Sequence, residues 1–141
     1  GGVIMINFGS GFITEVANDD RTRFRPAAAA FAKQRSLMQS DPEMVAFTAA
    51  YRSKFPYPYA TVADVAAHID HVVKLVGIEH VGIGSDFDGV GDSLPIGLKD
   101  VSQYANLVAE LLRRGYSDSA IEAILGGNIL RVWQAVEDQA G

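Results

Sequence analysis

The chain has 141 residues, 48% of them hydrophobic and 21% charged, which is enough for one domain with its own core and excludes general disorder. A net charge of -5, with no basic run longer than Arg113-Arg114, excludes nucleic acid and an anionic membrane surface as expected partners. With no cysteine the chain can build neither a disulfide nor a thiolate metal site, and no apolar run is long enough for a membrane span.

In chain order, residues 3–8 read as a short buried strand ending at Asn7-Phe8, and Gly9-Ser10-Gly11 as a loop. Residues 14–25 are polar, with Asn18-Asp19-Asp20 and three arginines, and read as a surface loop. Pro26 suits a first helical position, and Ala27 to Met38 is rich in helix formers. Ser40 or Asp41 caps a second helix, with Pro42 just inside it, running to about Lys54. Phe55-Pro56-Tyr57-Pro58-Tyr59 must be extended, because each proline drives its predecessor out of the helical region. Its aromatics read first as packing on a neighbour and second as a platform for a peptide.

Thr61 then caps a long helix, with Asp64 as a reciprocal partner and Val62, Val65, Ala66, Ile69, Val72, Val73 and Val76 on one face. Gly77 ends it, and Ile78 to Ser85 reads as a second strand. A strand, a helical connection and another apolar strand form a βαβ unit, hence parallel strands and a right-handed crossover. After an irregular loop, Val90 to Lys99, comes a helix over about Val101 to Arg114 that stops at Gly115. Ser117 caps another, expected to stop at Gly126-Gly127. Asn128 is expected to cap the last helix, with Ile129, Val132, Trp133 and Val136 as its buried side. Two strands are too few for a sheet of an α/β protein. The chain also opens flush on a strand with no initiator Met, so the expectation is a processed chain or part of a longer one.

The chemistry concentrates at His80-Val81-Gly82-Ile83-Gly84-Ser85-Asp86-Phe87-Asp88-Gly89, a strand that runs into two acids. Loops at the carboxyl ends of parallel strands build the sites of α/β folds, which points to Asp86 and, on the first strand, to Asn7. A carboxylate there can be a metal ligand, a general acid or base, or an anchor for an ammonium group. The plainer reading is turn chemistry, since Asp-x-Asp-Gly also favours a tight turn. An EF-hand would need a glutamate where Gly97 stands. The Asp86-x-Asp88 pair also looks like the first motif of haloacid-dehalogenase-type phosphatases, with Asp86 as nucleophile, but no later acidic pair stands at a strand end. His68 and His71 have a spacing that can hold zinc. His68, however, adjoins the apolar stripe, and His80 lies at the amino end of its strand, so both read as structural.

Taken together, five segments resemble one family in order. They are residues 1–8, His68-Ile69-Asp70-His71-Val72, residues 80–90, Ala109 to Gly115, and Gly127 to Val132. The chain is similar to the carboxyl-terminal third of a membrane (renal-type) dipeptidase, a zinc-dependent hydrolase of the amidohydrolase superfamily. The resemblance implies an α/β fold, the carboxyl-terminal part of a (β/α)8 barrel: its last two strands with covering and closing helices. It implies that residues 1–141 are the carboxyl-terminal portion of a single barrel domain, incomplete without its amino-terminal part. It further implies two zinc ions whose bridging hydroxide attacks the peptide carbonyl of a dipeptide, with all metal ligands before Gly1 and none in this chain.

The acid that carries over is Asp86, which in the family contacts the amino group of the dipeptide and shuttles a proton to the leaving amine. Asp88 matches a motif residue of structural character. Phe12 matches a loop position that is often a tyrosine near bound substrate, so a hydrogen bond from that hydroxyl is missing here. Asn7, Phe12 and Asp86 are the expected substrate-binding residues. The competing readings are a catalytically inactive truncated homologue acting as a binding module, and the phosphatase. A homodimer is one expected arrangement, and the lack of cysteine suits the cytoplasm.

Overall fold

The computed structural model describes residues 1–140. The fold is α/β, mostly helical, around a two-stranded sheet. The elements are β1 (Ile4–Asn7), α1 (Ser10–Ile13), α2 (Glu15–Arg35), α3 (Pro42–Lys54), α4 (Val62–Val76), β2 (Val81–Ser85), α5 (Tyr104–Arg113), α6 (Asp118–Glu122) and α7 (Asn128–Ala140). Strands β1 and β2 are parallel, as the βαβ reading requires.

The stripe on α4 buries Val65, Ala66, Ile69 and Val72 in a core shared with Ile6, Phe8, Val81, Leu107 and Leu111. The capping box forms as read: the Thr61 hydroxyl accepts from Asp64 N, and the Asp64 carboxylate accepts from Thr61 N at 2.8 Å. A polar clamp fixes α5 on α4. Arg114 donates to Asp70, Glu110 and the Ala63 carbonyl, and the Tyr116 hydroxyl donates to Asp70 at 2.7 Å. Burial, then the Asp70 carboxylate, pushes the Tyr116 phenol up to about 12.

Several expected boundaries move. Residues 14–25 are not a loop but the first half of α2, which continues through Pro26. The Thr14 hydroxyl accepts from Ala17 N and starts the helix, and Glu15 sits in the first turn where the helix dipole favours it. Pro26 removes one helical hydrogen bond, whose acceptor is the Thr22 carbonyl. Both residues are exposed, so water can satisfy that carbonyl. The helix ends at Arg35, where Ser36 turns left-handed, rather than at Met38. Ser10 opens α1 instead of lying in a loop. The second strand begins at Val81, after a 3-10 turn over Ile78–His80. The helix expected from Val101 starts as a 3-10 turn and becomes α-helical at Tyr104.

The Gly126-Gly127 stop does not form either. A π-helical turn, Ala123–Gly127, joins α6 to α7 without a break. Asn128 is therefore no cap. It is buried inside the helix, and its amide donates to the carbonyls of Ile78 and Val81, both at 2.8 Å. A π turn shifts the register of a helix, which here aims Asn128 at the start of β2. On α7 the expected buried side is largely uncovered: Trp133 is 62% exposed and Val136 63%. On β1, Ile4 and Met5 are likewise exposed. No helix among the described residues is long and apolar enough to cross a membrane.

Candidate active site

The site begins with an irregularity in the sheet. Ile6 pairs with Ile83, but Asn7 pairs with Ser85, so Gly84 is the extra residue of a bulge on β2. A β-carbon at Gly84 would lie 3.1–3.2 Å from the backbone of Met5 and Ile6, a tight contact that would push the two strands slightly apart. Bulges re-aim the side chains that follow them. Here Ser85 and Asp86 come next, and both have left-handed backbones, with φ of 53° and 65°. Two adjacent non-glycine residues in that region are strained, and such strain gathers at ligand clamps and active sites.

The result is that Asp86 faces Asn7. The Asn7 amide donates to Asp86 Oδ2 at 2.7 Å, and Asn7 Oδ1 accepts from Gly9 N at 2.9 Å. The two predicted residues are thus brought together, from strands 79 positions apart. The other oxygen of Asp86 lies against Gly89, where a β-carbon would collide with it. Glycine at 89 therefore leaves room for this carboxylate position. Asp88 is exposed, and its carboxylate makes no hydrogen bond among the described residues. Beneath the turn, Phe8, Phe87 and Tyr104 pack edge to face at 5.6–6.2 Å, and the Tyr104 hydroxyl bonds Ser85. Phe8 is fully buried and belongs to the core under the site, while Asn7 is half-buried and touches the cleft through Asp86.

Asp86 opens onto a cleft of about 750 Å³. Phe12 is on its wall, 54% exposed, and the Arg21 guanidinium lies over its ring at 5.2 Å. The loop side is built by buried Ser10, whose hydroxyl accepts from Ala60 N and whose amide donates to the Ser93 carbonyl. Tyr57 and Tyr59 stack edge to face at 4.8 Å and also line the cleft. The Tyr59 hydroxyl donates to Asp92 at 2.7 Å. Burial, then that carboxylate, pushes the phenol up to about 12. The same bond, ahead of Lys99, holds Asp92 below its ordinary range.

The far wall is α2 and α3, which sequence reasoning did not bring to the site. It contributes Arg21, Phe24, Arg25, Ala28, Ala29 and Ala32 from α2. From α3 come Met44, Thr48 and Arg52, the last paired with buried Asp20 at 2.8 Å. The signal was present in the helical spacing of the α2 residues, but the dense charges at 18–25 masked it as loop.

These residues do not fit a metal on their own. Among the described residues, no three histidine, aspartate or glutamate side chains are grouped to hold an ion. His68 Nε2 lies 2.8 Å from the Ile13 carbonyl and His80 Nδ1 2.7 Å from that of Gly2, while His71 is exposed. The first two histidines thus serve the packing of helix and strand.

Over residues 1–141 the sequence matches the family described as membrane dipeptidase (Peptidase family M19). Among curated proteins it is 52% identical over 81 residues to dipeptidase aclJ of Aspergillus oryzae and 48% identical over 81 residues to dipeptidase tcpJ of Claviceps purpurea. In each case the match covers 57% of this chain and 19% of the relative. Among solved structures it is similar to the probable dipeptidase PvdM from Pseudomonas aeruginosa. The TM-score is 0.63 and the identity 32%, over 94% of this chain and 36% of that one. The chain therefore spans about a fifth of the length of these curated relatives and about a third of that solved neighbour.

Proposed function

The chain belongs to the membrane dipeptidase family, and from that premise we propose that it forms the Asp86 wall of a dipeptide-hydrolysing site. In this reading residues 1–141 are the carboxyl-terminal portion of one (β/α)8 barrel. The strands β1 and β2 are its last two, and their free edges pair with strands outside these residues. The zinc ions of the complete enzyme take their ligands from outside this chain as well.

The observation that supports the reading best is the Asn7–Asp86 contact on a cleft at the carboxyl end of parallel strands. Asn7 holds one oxygen of the carboxylate and fixes the plane of the group. The other oxygen accepts a hydrogen bond from the amino group of a dipeptide, a charge-assisted contact that orients the substrate. Hydrolysis adds hydroxide to the carbonyl carbon and a proton to the departing nitrogen. Asp86 takes the proton released by the attacking water and delivers it to that nitrogen. Phe12 supplies an apolar wall at this end and no hydroxyl.

The test is hydrolysis of simple L,L-dipeptides by the complete polypeptide, with a magnesium phosphatase assay beside it. Dipeptide turnover without phosphatase activity is expected. The reverse pattern would make Asp86 a phosphate acceptor and end the dipeptidase reading.

A further inference from the structure

The far wall of the cleft carries charge that no ion pair among the described residues neutralises. On α2 the residues facing the cleft are Arg21, Phe24, Arg25, Ala28, Ala29 and Ala32, spaced by three and four so that they form one stripe. The amino-terminal part of the stripe is cationic. The rest is small, and it leaves open volume where longer side chains would fill the cleft.

The charges of the cleft can be followed group by group. Arg52 meets both oxygens of buried Asp20, at 2.8 and 2.9 Å, so its charge is compensated. Asp92 at the rim is paired with Lys99 at 3.2 Å and with the Tyr59 hydroxyl. Among the described residues the Arg21 side chain bonds only a neutral partner, the Asn18 side chain at 3.1 Å, and lies over the Phe12 ring. Arg25 makes neither an ion pair nor a hydrogen bond among the described residues. Two like charges one turn apart destabilise a helix, so this pair works against α2 unless an anion comes between them. Asp86 stands on the other wall, its carboxylate held by a neutral amide. The cleft is therefore polarised, with Asp86 at the sheet end and, on α2, two guanidinium groups without an ion-pair partner among the described residues.

We propose that Arg21 and Arg25 form an anion subsite that reads an acidic side chain of the dipeptide, and so set the specificity of the reaction. This rests on the dipeptidase reading above. A neutral dipeptide brings one carboxylate. Two unpaired guanidinium groups on successive turns suit a substrate that brings two. Guanidinium groups bind carboxylates through paired, charge-assisted hydrogen bonds, and a cleft with low-dielectric walls strengthens them.

The experiment compares kcat/KM for Ala-Ala, Ala-Glu, Glu-Ala and Ala-Lys in the complete polypeptide, at low and high salt. It uses the parent, Arg21→Gln, Arg25→Gln and Arg25→Glu, with thermal melting to check each fold. In the parent, one or both glutamate dipeptides should be preferred over Ala-Ala, and the preference should shrink with salt. Whichever glutamate dipeptide is preferred identifies the substrate residue being read. Each glutamine variant should lose about tenfold more on the preferred glutamate dipeptide than on Ala-Ala. Arg25→Glu should shift preference toward Ala-Lys. Equal losses on neutral and acidic dipeptides would overturn the proposal, since the arginines would then hold a group that all dipeptides share. No loss on any would overturn it too. A parent that cleaves no dipeptide defeats the dipeptidase reading itself, which separates the two failures.

Discussion

The end of the sheet and the α2–α3 hairpin face each other across one cleft, but different forces hold them. At the sheet end, Phe8, Val65, Ile69, Leu107 and Leu111 are all fully buried, and polar bonds from Asn128 and Arg114 tie the elements together. The hairpin buries little: Ala17 and Asp20 on α2 and Met44 on α3. Its helices meet instead through an aromatic ladder. Phe31 stacks on Phe47 at 4.4 Å, and Phe24 lies 5.0 Å from Tyr51. Arg52 is placed over Phe24 and Tyr57 while it binds Asp20. The well-buried side thus carries the Asp86 carboxylate, and the lightly anchored side carries Arg21 and Arg25.

This difference can be broken from either side. Phe8→Ala should cost about 3–5 kcal/mol, because it empties a fully enclosed site. Phe31→Ala in the hairpin should cost about 1 kcal/mol, the loss of one partly exposed stacked pair. Chemical denaturation of the complete polypeptide measures both, and equal values would erase the distinction. Next in size, Asn128→Ala removes the amide that donates to both the Ile78 and Val81 carbonyls and should cost about 2 kcal/mol. Hydrogen exchange should show β2 opening more readily in that variant while the hairpin amides are unchanged. Arg52→Met strips the partner from Asp20. Because Arg52 is partly in solvent, the expected cost is about 1–2 kcal/mol, felt as faster exchange in α2 and α3.

The smallest effect is on pH dependence. Tyr59 and Tyr116 are both raised to about 12, first by burial and then by Asp92 and Asp70 respectively. An unfolded tyrosine loses its proton near 10, so between 10 and 12 the unfolded state binds fewer protons than the folded one. The contribution of these two tyrosines should be level below pH 10 and fall across that window. Tyr116→Phe should flatten part of the fall, which a pH series of melts would show. On the acid side, Glu110 is held at about 2 by Arg113 and then Arg114. Its contribution should be lost as pH drops from 4.5 toward 2.

Legibility in the sequence followed the same division. The α4 stripe, the Thr61–Asp64 cap and the parallel pair β1–β2 were readable, because a buried face imposes a period on the residues that form it. The opposed Asn7 and Asp86 were readable as strand ends, but their contact was not, since it needs the Gly84 bulge. The hairpin is least legible where it is most polar. With so few buried positions, α2 has no clear apolar stripe, and Pro26 looked like a beginning rather than an interruption. Gly126-Gly127 looked like a stop because glycines usually are, yet the turn there stays helical in its π form and carries Asn128 to β2. The exposed side of α7 was expected to be covered. Its apolar residues carry a helical period, but a period does not say whether the covering element lies within the same 140 residues.

The central claim is that Asp86, and not its neighbour two residues on, handles the proton in dipeptide hydrolysis. Asp86→Asn and Asp88→Asn compared in the complete polypeptide test it directly, with kcat and bound zinc measured on the same samples. Asparagine keeps the shape of residue 86 and the contact to Asn7. The account predicts that kcat falls at least about a hundredfold in Asp86→Asn, with zinc content unchanged, while Asp88→Asn stays within about threefold of the parent. Turnover near the parent's in Asp86→Asn would contradict it. Loss of zinc from that variant would contradict it as well, because it would make Asp86 a metal ligand.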